Sequence, residues 1–160
     1  MSGRETTRAP ITPAGATALQ AELDELEGPR RRELADRIKA ARELGDLKEN
    51  AEYHIAKDDQ AHLETRIKRL RTRLADAVVM DASSDDASFA FGRTAEVIDE
   101  ASGKVHRWTL VGSMEADGEQ GRLSIESPVG RALMNRRVGE SITIDAPRGA
   151  RRLRIERFLD

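Results

Sequence analysis

The 160-residue chain contains no cysteine. That excludes a disulfide framework and a thiolate zinc site, and it suits an intracellular compartment. No apolar run approaches the roughly 20 residues of a membrane-spanning helix, and no signal-peptide core is present, so a soluble cytoplasmic protein is expected, with no membrane partner. Aromatic residues are only 3% of the chain: one Trp, one Tyr and three Phe. So few rings leave little from which to build an aromatic-lined binding cavity. Charge of one sign is also lacking in excess. Although 35% of residues are charged, 27 basic and 29 acidic side chains give a net charge of -2, so any nucleic-acid contact must be a local patch.

What is present is helical periodicity that changes abruptly after Ala77, and this predicts two domains. Residues 1–12, with Pro10 and little apolar content, read as a disordered lead-in. Thr12 can cap a helix whose first turn holds Pro13. Leu19, Leu23 and Leu26 then form a seam at steps of four and three. Gly28-Pro29 interrupts it, and the seam resumes at Leu34 one residue out of phase, which predicts a kink or local overwinding in one long helix, or else two helices. Leu63, Ile67, Leu70 and Leu74 give a second seam. The short turn at 45–50 between them makes the pair an antiparallel coiled-coil hairpin over 13–78, with arms of about 45 Å at 1.5 Å per residue. Small residues near the turn (Ala40, Ala41, Ala51, Ala56) predict a slim far end.

Residues 79–90, including Ser83-Ser84-Asp85-Asp86, read as a polar linker. Beyond it, 91–160 carries strand patterns at Thr94–Ile98, Val105–Val111, Leu123–Glu126, Ser141–Asp145 and Leu153–Phe158. Turns fall at Ser102-Gly103 and Pro147-Arg148-Gly149, and Ser127-Pro128 opens a short helix. The fold class is therefore α+β: a helical hairpin followed by a small antiparallel sheet domain with one helix.

Chemistry concentrates at the turn. Asp46 and Glu49 flank the start of the second helix, expected from about Leu47, and two carboxylates at that spacing can share Mg2+, a hard cation that prefers oxygen ligands. Two carboxylates make an incomplete site, so further ligands must come from a partner or a phosphate. The same residues also satisfy a capping box, with Asp46 as N-cap and Glu49 at the third helical position, both favoured by the helix dipole. The two readings are compatible. Elsewhere on the hairpin, Arg66, Lys68, Arg69, Arg71 and Arg73 are expected to pair with Glu22, Asp24, Glu25 and Glu27. Arg30, Arg31, Arg32, Arg37, Lys39 and Arg42 form a surplus positive patch, because the facing Ala61, His62 and Leu63 offer no carboxylate; it is either a nucleic-acid contact or a solvated face.

The stretch Ala41-Arg42-Glu43-Leu44-Gly45-Asp46-Leu47-Lys48-Glu49-Asn50-Ala51-Glu52-Tyr53-His54 resembles the tip signature of the Gre family of bacterial transcript cleavage factors, GreA type. Arg66-Ile67, Ser127-Pro128-Val129-Gly130-Arg131-Ala132-Leu133 and Val138-Gly139-Glu140 continue the resemblance, which spans nearly everything from Ile11 onward. Residues 99–122 match more loosely, with Gly112 to Asp117 standing where the family has a proline-containing turn.

The resemblance implies an FKBP-like C-terminal domain without isomerase activity. It also implies a partner, bacterial RNA polymerase, whose secondary channel admits the hairpin while the globular domain docks on the rim. On that reading Asp46 and Glu49 are the catalytic and metal residues, helping retain a second Mg2+ in the polymerase active centre. The nascent RNA 3′ end would be hydrolysed there, by the polymerase and not by this chain as a freestanding enzyme. Asn50 would orient substrate or water, Tyr53 would lie near the extruded RNA or pack against the helix, and the Arg30–Arg42 patch would contact RNA. A monomer is expected when free. The alternatives are a channel binder that inhibits without stimulating cleavage, and a prolyl isomerase.

Overall fold

The computed structural model describes residues 9–46, 50–82 and 87–159. The chain divides into a helical unit, residues 16–76, and a sheet unit made of the N-terminal segment to Gly15 together with 77–160.

The helical unit is built by leucine spacing. Helix α1, Pro13–Glu25, starts at a capped first turn, where Thr12 Oγ1 accepts the Gly15 N–H at 3.0 Å. Leu26–Arg30 then forms a π-helical segment, and α2 continues over Arg31–Arg42. This corrects the expectation of overwinding. The turn is widened, which inserts one residue and absorbs the one-residue phase slip between Leu26 and Leu34. Pro29, which has no N–H to donate and would crowd a regular α-turn, sits inside the widened segment. Helix α3, Ala51–Asp76, returns alongside. The seam core is Leu23, Leu34, Leu63, Ile67 and Leu70, flanked by Leu19, Leu26 and Leu74. Near the turn the seam narrows to Ala41 and Ala56, both buried. Ala40 and Ala51, expected in the seam, are exposed.

The sheet unit holds one five-stranded sheet. Its strands are β3 (Thr94–Asp99), β4 (Val105–Val111), β5 (Arg122–Ser124), β6 (Ser141–Ala146) and β7 (Gly149–Phe158), in the order β5-β4-β3-β7-β6. Pairing is antiparallel except at β4–β5, which is parallel, so the sheet is mixed where sequence alone suggested antiparallel throughout. Helix α4, Pro128–Leu133, is capped by Ser127, whose hydroxyl accepts the Gly130 N–H at 3.1 Å. Gly130 is required there, because a Cβ would collide with the Ser124 carbonyl oxygen. Alternation along the strands sends Ala95, Val97, Leu110, Leu153 and Ile155 to one face, where they meet Leu133 and Phe89.

Two boundary expectations are overturned here. Ala9–Ile11, assigned to the disordered lead-in, is strand β1, paired in parallel with β2 (Ala77–Val79), and Ile11 is fully buried. Phe89, assigned to the linker, is fully buried at the centre of the sheet core. Ile11 stands alone between Pro10 and Thr12, and Phe89-Ala90-Phe91 is too short a run to show a period, so their burial is visible only in the folded chain.

Candidate functional site: the end of the helical hairpin

The turn joins the last residues of α2 to Asn50. Glu43, Leu44 and Gly45 each donate a backbone N–H back to α2, to Lys39, Ala41 and Arg42 respectively. Gly45 lies at φ +112°, a conformation that favours glycine and ends the helix. Asp46 follows, exposed to solvent. Glu49, the second acid expected at the site, lies outside the described residues.

The expected capping box spans Asp46 to Glu49, and residues 47–49 lie outside the described residues; the cap seen at the start of the returning helix is another residue. Helix α3 starts at Ala51, and the side chain of Asn50 is its cap: Oδ1 accepts the Tyr53 N–H at 3.1 Å. The same carboxamide reaches across the hairpin, Nδ2 donating to the Ala41 carbonyl at 2.5 Å. Asn50, expected to orient substrate or water, is thus committed to both helix ends. The signal was legible, since asparagine is among the strongest N-caps, but D-x-x-E at 46–49 is an equally good caps pattern and drew the helix start four residues too early. Beside this bridge the Arg42 guanidinium lies 5.9 Å from the centre of the Tyr53 ring, linking the two helices again.

Leu44 and Ile55 are both more than half exposed, and with Ala40, Ala41 and Ala56 they line an open groove of about 420 Å3 bounded by Arg37 and Glu52. At the tip, then, an exposed acid follows two residues after Leu44 of the apolar groove.

The positive patch is smaller than its sequence suggests. Arg31 grips Glu64 through two hydrogen bonds of 2.9 Å, Arg37 pairs with Asp59 at 3.1 Å, and Arg30 pairs with Glu33 at 2.8 Å. Donating to Glu64 holds the Arg31 guanidinium above its ordinary pKa, and the Arg31 hydrogen bonds hold the Glu64 carboxyl below its own. His62 and Leu63 do lie opposite Arg30 and Leu34, as expected, but Asp59 and Glu64 flank them and supply the carboxylates that the expectation lacked. Arg32 and Lys39 are exposed, and among the described residues no ion pair reaches them. Of the expected ladder further along, Arg66–Glu22 and Arg71–Glu27 are formed. Among the described residues no three His, Asp or Glu side chains converge as a metal site, and no helix is long and apolar enough to cross a membrane.

Comparison with known proteins covers both units. Residues 9–79 match the family model for the N-terminal part of GreA/GreB transcription elongation factors, and residues 82–159 match the model for their C-terminal part. The transcription elongation factor GreA of Xanthomonas axonopodis pv. citri is 42% identical over 146 residues, 90% of this chain and 92% of its own length. That of Nitrobacter hamburgensis is 43% identical over 145 residues, again 90% of this chain and 92% of its own. A crystal structure of the GreA factor homolog 1 of Thermus thermophilus aligns over 96% of this chain and 99% of its own at 26% identity, with a TM-score of 0.43.

Proposed function

The chain belongs to the GreA/GreB family of transcription elongation factors, and from that premise we propose that it enters the secondary channel of bacterial RNA polymerase and stimulates cleavage of the nascent RNA 3′ end in backtracked complexes. The observation that carries this reading is the exposure of Asp46 at the end of the hairpin. Asn50 satisfies the first turn of α3, and Asp46 stands exposed just beyond the end of α2. An exposed carboxylate on a narrow hairpin end suits presentation to another molecule's active centre.

Asp46 and Glu49 supply hard oxygen donors fit for Mg2+, with the remaining ligands furnished by the polymerase and the RNA phosphate. When bound, such an ion lowers the charge on the phosphodiester and makes water a better nucleophile. This chain's own contribution is to carry the acids to the site and hold them there. Arg32 and Lys39, seven residues apart on α2 and so on nearly the same face, are the cations best placed for RNA phosphates. Arg31 and Arg37 instead clamp α2 to α3. The sheet unit supplies the docking body, which grips the channel rim.

The test is a cleavage assay on stalled, backtracked complexes. Adding the protein should release short 3′ fragments. Asp46→Asn combined with Glu49→Gln should leave polymerase affinity within about threefold and return cleavage to the level of polymerase alone, as expected if the charge on the two acids holds the ion. Cleavage that persists undiminished in the double variant would overturn the catalytic reading and leave a channel binder of another kind.

A further inference from the structure

Among the described residues, Asn50 hydrogen-bonds to both helices at the hairpin end. A carboxamide carries a donor and an acceptor on a rigid plane, and Asn50 uses both. Its oxygen must face the Tyr53 N–H, a donor, so its nitrogen faces the Ala41 carbonyl. Its own carbonyl accepts the His54 N–H at 3.2 Å, completing the first turn of α3. Ala41 is the penultimate residue of α2 and is buried in the seam, so this tie joins the start of α3 to a packed position on the facing helix. The seam itself does not depend on the tie. Leu34, Ile38, Ala56, Leu63 and Ile67 are buried between the helices independently of it.

We infer that Asn50 is the positioning residue of the tip: by tying the start of α3 to the end of α2 it sets the geometry of the hairpin end that presents Asp46 to the polymerase's ion site. This rests on the function proposed above. Such a residue acts through geometry: with the Ala41 tie cut, the helices stay paired while the end of α2 and the start of α3 are free to shift against each other by about an ångström. A shared ion site tolerates no such shift, because its other ligands belong to a different molecule.

Asn50→Ser keeps a cap for Tyr53 and loses the reach to Ala41. Asn50→Asp also keeps the cap and turns the second contact into an oxygen facing an oxygen. Both variants are expected to melt within a few degrees of wild type and to bind polymerase within about threefold of it. At saturating factor, both should lower the maximal cleavage rate by about tenfold or more and raise the Mg2+ concentration for half-maximal cleavage by a similar factor, so that excess Mg2+ restores part of the rate. A purely structural role predicts the opposite split: weaker binding and lower melting, with maximal rate and Mg2+ midpoint unchanged once the factor is saturating. That result overturns the inference. The Asp46→Asn, Glu49→Gln protein is run alongside. If it is inactive while the Asn50 variants match wild type, positioning fails and the catalytic reading stands; if all of them cleave normally, the catalytic reading fails as well. Should Asn50→Ser unfold, Asn50→Asp carries the same test.

Discussion

At the scale of single residues, the charges of this protein divide into those that hold the fold and those turned outward. In the sheet unit, Asp99 accepts the backbone N–H groups of Ser102 and Ala101 and an Arg151 hydrogen bond of 3.2 Å, which together hold its carboxyl below the usual range. Its neighbour across the sheet face is His106, stacked on Trp108 with ring centres 4.5 Å apart, its Nε2 buried with no partner among the described residues. Burial first, then Lys104 and Arg151, push His106 below its ordinary value of 6.5, against the opposing pull of Asp99. A depressed folded pKa means that the unfolded chain takes up the proton more readily. Stability from this site is therefore complete above pH 6.5 and is lost as pH falls through the lowered value. Melting of the sheet unit in wild type, followed by Trp108 fluorescence, is expected to drop on acidification below that point, by roughly 4–8 °C for each kcal/mol lost. His106→Gln should flatten the drop. An unaltered acid limb in the variant would assign the loss to other groups. Asp99 contributes in a separate, more acidic window, since its stabilisation is lost only as pH falls through its own lowered value.

At the scale of elements, the π segment is the most informative. A seam of leucines at 19, 23 and 26 can rejoin one at 34 and 38 only if a single residue is taken up between them, and the widened turn at Leu26–Arg30 takes it up. Deleting Pro29 removes the extra residue and the helix-incompatible ring together. Circular dichroism should then show a hairpin at least as helical and as heat-stable as wild type, with both seams still in phase. Deleting Ala35 by the same method rotates everything beyond it by about 100° relative to the seam, moving Ile38 and Ala41 out of the core. That deletion should cost the unit most of its helical melting transition. Equal tolerance of the two deletions would show that the π segment does not set the register.

At the scale of the whole molecule, the sheet unit is assembled from both sides of the hairpin sequence. Strand β1 precedes α1 and strand β2 follows α3, yet the two pair with each other, and the start of α1 is tied to the same unit: Glu115 accepts the Thr12 N–H at 2.9 Å and the Thr12 hydroxyl. Gly112 is needed beside them, because a Cβ would strike the Pro10 carbonyl oxygen. Ile11, fully buried, is thus part of the sheet unit despite lying 66 residues before β2 in sequence. Ile11→Ala should destabilise that unit by about 2–5 kcal/mol, read as a lower Trp108 melting transition, while the helical signal of the hairpin changes little. An unchanged Trp108 transition would mean that β1 is dispensable.

Sequence alone determined whatever rests on local repetition: the two helical arms from leucine spacing, the strands from alternation, the capped starts at Thr12 and Ser127, and the acidic turn with its family likeness. Each of these is set by neighbours within about a turn or a strand. Tertiary structure decided what depends on partners far apart in the chain. It tied Asn50, the cap of α3, to the carbonyl of Ala41, spent Arg31 and Arg37 on Glu64 and Asp59, and buried Ile11 and Phe89. Periodicity records which face a residue occupies, but the residue it meets there is fixed only when the chain closes on itself.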